Sequence, residues 1–314
     1  MKYLLSVFLG AASYGILSTI VVLAYGHGYK LGEVVGSQLL TGFLLAWALA
    51  FFIKRREQRI IKQAADKAAA AKPITNLTWK HRLLLMAAGA PTAITGLLYY
   101  ESLRYIPASL AIILLFQFTW IGVLIQAISE RKRPDKLMII TIAVLLGGTL
   151  LAAGIIEHGA GRFNLMGVML GLLSAVSYSL FILFSGKAVP AAQPAYRSAW
   201  MITGGMLLVF LLFPPTFLFN GLLFGELMLY GFLLGLFGAF IPPLLFAVGV
   251  PHIGEGMAGI LGASELPVAV LLSSFVLHEH VSLLQWIGVT VVLLGVTLPE
   301  LLKRMKKKRL QLLS

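Results

Sequence analysis

The chain contains no cysteine, so disulfides, thiolate metal sites and cysteine nucleophiles are all excluded. Charge is almost as scarce. Only 12% of the 314 residues are Asp, Glu, Lys or Arg, against about 25% in a soluble globular domain, too few to cover a water-facing surface. Aspartate occurs only at Asp66 and Asp135, both between apolar segments, which leaves no acid for a Ser-His-Asp arrangement. No Gly-Lys-Ser/Thr follows a strand-like run, so an ATP-binding phosphate loop is missing too. The histidines in His252-Ile-Gly-Glu255 and His278-Glu279-His280 lack the His-Glu-x-x-His spacing of a helical zinc site.

What the chain has is hydrophobicity, at 59% of its residues and a mean hydropathy of +0.92. Ten apolar segments run over about 4–25, 31–53, 82–101, 106–128, 137–156, 163–185, 197–219, 226–249, 256–277 and 283–302. Each approaches the roughly 20 residues that span a bilayer. Helices are predicted for all ten, because a lipid-exposed backbone must satisfy its own hydrogen bonds. The first segment is longer than a signal-peptide core of about 7–15 residues and lacks a small-residue cleavage site, so it reads as a retained span.

The net charge of +13 does not point to nucleic acid, because the basic residues form short clusters between spans with no stacking motif. Their partner is the anionic surface of a lipid bilayer. With the N-terminus inside, 22 of the 25 Lys and Arg fall on one side, and only Lys30, Arg104 and Arg162 on the other. The positive-inside rule therefore predicts both termini in the cytoplasm. Short basic loops without eukaryotic targeting signals suggest a prokaryotic plasma membrane. The one long connection, Lys54 to Lys80, reads either as an amphipathic helix along the inner leaflet or as a plain tether.

The sequence also resembles itself. Val144-Leu-Leu-Gly-Gly-Thr-Leu150 matches Val292-Leu-Leu-Gly-Val-Thr-Leu298 at six of seven positions. At an offset of 149, Gly89-Ala90 aligns with Gly238-Ala239, and Glu130 with Glu279. A unit of five spans is odd, so a second copy enters the membrane inverted, as in many secondary transporters. The expected fold is therefore an all-α polytopic membrane protein of ten transmembrane helices in two inverted five-helix repeats. The first repeat covers 1–158 and the second 159–303, with a basic cytoplasmic tail at 304–314.

Ser264-Glu265-Leu266-Pro267-Val268-Ala269-Val270, followed by His278-Glu279-His280-Val281-Ser282, is similar to the second-repeat pattern of the drug/metabolite transporter superfamily, EamA type. The first repeat keeps the helix-end Glu130 but has Phe118 where Pro267 aligns. The resemblance covers nearly the whole chain. It implies transport of amino acids, metabolites, drugs or sugars, with no cofactor, and leaves the cargo and the oligomeric state (monomer or homodimer) open. A proton-coupled exporter and an uncoupled facilitator both fit, as does the more distant reading of a membrane-embedded enzyme or scaffold.

Glu265 is the leading site candidate, since a charge in mid-span costs a few kcal/mol. Its functional reading is a proton or substrate-amine site. The competing reading is a carboxyl held by Ser or Thr of a neighbouring helix for packing alone. Pro267 lacks an N–H and weakens the local helix ladder. Tyr14 and Tyr178, in Ser13-Tyr14-Gly15 and Ser177-Tyr178-Ser179, occupy similar places in the first helix of each repeat. They could line a solute path or simply pack. Gln38, Gln117, Trp120 and Tyr99 are further lining candidates, although Gln117 could instead bond across helices. Pro107, Pro242 and Pro243 mark bends suited to hinges, and Glu130 and Glu279 end helices where gates could form. Glu33, Glu101 and Glu255 read as interfacial caps. Gly167/Gly171 and Gly231/Gly235 have the four-residue spacing that lets helices approach.

Overall fold

The structure, a computed structural model, describes residues 1–63, 77–129, 136–152, 164–189, 192–242 and 264–295, with positions 245, 249, 252–253, 261–262 and 297 between and beyond them. The described residues fold as helices. We number them α1 (Lys2–Gly15), α2 (Leu17–Gly26), α3 (Leu31–Gln63), α4 (Trp79–Ser102), α5 (Ala108–Leu115), α6 (Phe118–Ser129) and α7 (Lys136–Ala152). Then follow α8 (Leu165–Lys187), α9 (Pro194–Leu212), α10 (Glu226–Leu234), α11 (Glu265–Val276) and α12 (Leu283–Gly295). α10 continues as a π-helical stretch, Gly235–Phe240.

Four helical units are long and apolar enough to cross a membrane: Lys2–Gly26, Leu31–Arg56, Trp79–Ser102 and Ala195–Leu212. Six shorter apolar helices complete ten helical segments among the described residues, one for each apolar run in the sequence. The protein is a multi-pass membrane protein. α3 runs on to Gln63, well past the expected end near residue 53. The start of the long basic connection is therefore the same helix continued, with no Gly or Pro to stop it. Residues 64–76 lie outside the described residues. At the other extreme, α9 stops at Leu212 because Pro214-Pro215 cannot continue it. The Glu130 and Glu255 positions, and Pro243, also lie outside the described residues.

α4 packs on α8 and α9, and α9 also on α3. α3 packs on α10 and its π continuation, which in turn meet α2 and α1. α5 and α6 lie against α8, while α11 lies against α1, α2 and α5. Lipid tails are as apolar as leucine, so such contacts depend on close van der Waals fit rather than on hydrophobic exclusion. Glycine provides it where α4 crosses α9. A Cβ built on Gly89 would fall 2.0 Å from the Met201 carbonyl oxygen, and one on Gly204 2.1 Å from that of Met86. Gly288 of α12 is held equally close to the Ala152 backbone of α7. The spaced pairs behave as expected, Gly167 and Gly171 against Ile106 and Leu114, and Gly231 and Gly235 against Ser37 and Thr41.

One end of the bundle is tied by polar contacts. His27 Nδ1 and Glu226 Oε2 are 2.5 Å apart, Tyr25 donates to the Tyr100 carbonyl at 3.1 Å, and Arg104 lies over the Tyr25 ring. At the opposite end Tyr3 stacks on His252 at 3.7 Å. Trp47 Nε1 there donates to Thr203 Oγ1 at 3.0 Å, and Arg82 sits over Trp200.

Candidate functional site

Three apolar segments are broken near their middles. α1 gives way to α2 at Ile16, and α5 to α6 at Phe116-Gln117. α11 begins afresh at Glu265, after a turn in which the Ser264 N–H reaches the Leu261 carbonyl at 3.1 Å. Pro267 thus occupies the first turn of α11, where a helix leaves N–H groups unpaired in any case. A proline is tolerated at such a position, and its missing N–H fits a helix that begins here. Glu265 sits in that same first turn, beside the positive end of the helix dipole.

α1 lies directly on this break. A Cβ on Gly15 would fall 2.7 Å from the Glu265 carbonyl oxygen, so a side chain there would force the helices apart. The neighbouring Tyr14 lies within electrostatic reach of the carboxylate. Tyr14, Tyr99, Tyr100 and Tyr178 all interact electrostatically with Glu265, which brings α1, α4, α8 and α11 to one centre. Glu265, Tyr14, Tyr178 and Gln38 are half-buried, whereas Tyr99 and Tyr100 are buried. Among the described residues no side chain hydrogen-bonds or ion-pairs with the Glu265 carboxylate. The Ser or Thr clamp that would make it a packing device is absent from them.

Serines place the two half-buried tyrosines. Ser13 Oγ donates to the Phe237 carbonyl at 2.7 Å, inside the π-helical stretch, and Ser177 Oγ donates to the Pro91 carbonyl at 2.8 Å, at the proline within α4. The first acceptor lies in a π-helical stretch, where the regular i→i−4 ladder is disturbed, and the Pro91 carbonyl also accepts from Thr95 Oγ1 at 2.8 Å. Pro242 follows the π stretch and cannot donate to the Gly238 carbonyl. Tyr178 packs edge-on against Phe118, centroids 4.7 Å apart.

Around the same centre several polar atoms are unused. Ser18 Oγ, Thr19 Oγ1, Gln38 Oε1 and Tyr99 Oη are buried without a well-formed hydrogen bond. The Tyr99 hydroxyl lies next to Ser18 and that of Tyr100 next to Gln38. Sequence reading missed Ser18 and Tyr100. Serine is common in spans, and Tyr100 is distinguished only by what α3 brings against it.

Gln117 and Trp120 do not join this group. Gln117 Nε2 donates to Thr149 Oγ1 at 2.7 Å and to the Ile113 carbonyl at 2.9 Å. Its Oε1 accepts from Trp120 Nε1 at 2.7 Å. With 2% of its surface exposed and both ends of the amide engaged, Gln117 ties the α5–α6 break to α7. Pro107 precedes α5, and Glu279 caps that helix from across the bundle. Its carboxylate accepts from the Ala108 N–H at 2.6 Å, the Ser109 N–H at 3.1 Å and Ser109 Oγ at 2.7 Å. Glu33 caps α3 by accepting from the Lys30 N–H at 2.8 Å, and Glu101 pairs with Arg104 at 3.4 Å.

Residues 165–299 match the EamA-like transporter family. The likeness to that family lies in the C-terminal part of the chain. A protein of Synechocystis sp. described as an uncharacterized transporter is 24% identical to this chain over 205 residues, which are 64% of this chain and 61% of that relative's length. The chain thus aligns with less than two thirds of the curated relative it matches. A solved crystal structure shares the fold, with a TM-score of 0.63 over 96% of this chain and 98% of its own length at 16% identity.

Proposed function

We propose that the protein is a secondary transporter of small organic solutes that works by alternating access, exports its cargo, and couples that movement to protons through Glu265. The observation that carries this reading is the half-buried Glu265 carboxylate at a mid-span helix break. No side-chain partner holds it among the described residues, and tyrosines from both halves of the chain surround it. An ionisable group inside a membrane bundle is expensive, and its usual justification is a substrate or proton path.

The helix pairings support two inverted repeats, 1–158 and 159–303. Exchanging the halves turns α4 on α8 into α10 on α1–α2, α4 on α9 into α10 on α3, and α5–α6 on α8 into α11 on α1–α2, and each of these contacts is present. The breaks at Phe116 and Glu265 also stand 149 residues apart, the offset of the sequence repeat. Two similar halves of opposite orientation can exchange conformations about a fixed centre. The charge distribution supports cytoplasmic termini.

The test is charge movement in proteoliposomes challenged with amines, amino acids and sugars, comparing wild type with Glu265→Gln. A solute-dependent current that the substitution abolishes is expected. Undiminished, pH-independent transport by Glu265→Gln would remove Glu265 from the mechanism.

A further inference from the structure

We infer that the central site selects organic monocations, namely amines with a compact apolar or aromatic body, and rejects zwitterions and anions. The assignment rests on the transport reading above and names the class of cargo for the same centre.

The charge around the site is one-sided. Glu265 is an acid in mid-span, and between Arg197 and Lys303 the chain has no Lys or Arg at all. Nor is there one between Lys2 and Lys30, between Arg82 and Arg104, or between Arg162 and Lys187. Those stretches supply Tyr14, Ser18, Tyr99, Tyr100, Tyr178 and Glu265. An α-amino acid would bring its own carboxylate into a low-dielectric centre beside Glu265 with no cation to receive it. Unpaired like charge of this kind is a strong basis for rejection. A lone ammonium meets the opposite situation.

The neighbouring groups suit that ammonium. Tyr14 and Tyr178 present half-buried rings, and a cation is drawn to a tyrosine face, most of all when desolvated. Gln38 Oε1, Ser18 Oγ and Tyr99 Oη make no well-formed hydrogen bond, although Ser18 lies beside the Tyr99 hydroxyl and Gln38 beside that of Tyr100. Gln38 Oε1 can only accept, and the two hydroxyls accept as well as donate. A primary ammonium carries three donors and no acceptor. Phe118 and Phe181 flank Tyr178, at 4.7 and 6.0 Å between centroids, and extend the apolar wall for the body of the molecule.

Three probes with nearly the same body separate the charge types: phenethylamine, phenylalanine and 3-phenylpropionate. Binding is measured by calorimetry on the full chain in lipid nanodiscs, and flux separately in proteoliposomes. Phenethylamine alone is expected to bind. Its affinity should fall at least about thirtyfold in Glu265→Gln, the scale seen when a buried charge loses its partner, and less in Tyr178→Phe, which keeps the ring. Unchanged thermal midpoints for both variants certify the fold, and Glu265→Asp, which keeps the charge, should retain binding. Equal binding of phenylalanine or 3-phenylpropionate, or indifference to Glu265→Gln, overturns the cation assignment. Phenethylamine that binds but never crosses the bilayer leaves the cation site standing and removes the transport reading. Flux of a zwitterion or anion without amine binding does the reverse.

Discussion

Replacing Glu279 by alanine removes three hydrogen bonds at once from the start of α5. The carboxylate accepts from two backbone N–H groups and one hydroxyl, at 2.6, 3.1 and 2.7 Å, and it also faces the positive end of the α5 dipole. Hydrogen bonds to a charged group are worth about 1.5–3 kcal/mol each. Here they share one anion at a partly exposed end of the bundle, and whole N-caps are worth about 0.5–2 kcal/mol. A total of about 2 kcal/mol is therefore reasonable. If the tie exists only when this end is closed, its loss shifts the closed-to-open ratio about thirtyfold. Because the chain has no cysteine, a single introduced one reports cleanly. Ala111→Cys, fully buried in α5, should react with a membrane-impermeant maleimide about thirtyfold faster when Glu279→Ala is added. Ala50→Cys, equally buried near the opposite end, should not accelerate. Unchanged labelling at Ala111 in a monodisperse protein would refute the gate and leave Glu279 a plain cap. Acceleration at both positions would mean general loosening, which also refutes it.

Gly89→Ala should lower the thermal midpoint, because overpacking costs about 1–3 kcal/mol and its nearest contact is the rigid Met201 backbone. Gly96→Ala, on the same helix but with open space around it, is the matched control and should be neutral. Thr149→Val takes one acceptor from Gln117 and should cost about 1 kcal/mol of stability, seen in thermal unfolding, while solute affinity stays unchanged. Ser13→Ala and Ser177→Ala each remove an interhelical bond worth about 0.6–2 kcal/mol. Both should lower the transport rate more than the unfolding midpoint if the two serines hold the tyrosines in place.

The ten segments were legible because a membrane span must be long and apolar, and no second pattern competes with that one. Glu265 was legible for a related reason, since a carboxylate in mid-span has few bland explanations. The break at Phe116-Gln117 was not, because neither Gly nor Pro marks it. It is sustained by a Gln117–Thr149–Trp120 network whose members lie in the break itself and on the helices α6 and α7. Gln117 therefore read as a lining residue although its amide is fully engaged. The helix start at Glu265 was not visible within an apolar run. Glu279 was recognised as a helix-end acid, but its receptor 170 residues earlier depends on how α11 meets α5. Ser18, Tyr100 and Thr149 carry no sequence signal of their own.

Trans-stimulation distinguishes alternating access about the Glu265 centre from a continuous pathway. Proteoliposomes loaded with unlabelled solute, from a panel of amines, amino acids and sugars, are given the same solute in labelled form outside. A carrier whose centre opens to one side at a time must take up label faster when the inside is loaded, since the loaded centre returns with cargo. That acceleration is expected for at least one solute, saturable and abolished by Glu265→Gln. Uptake that rises linearly with concentration and ignores the internal solute would contradict it, because a continuous pathway behaves that way.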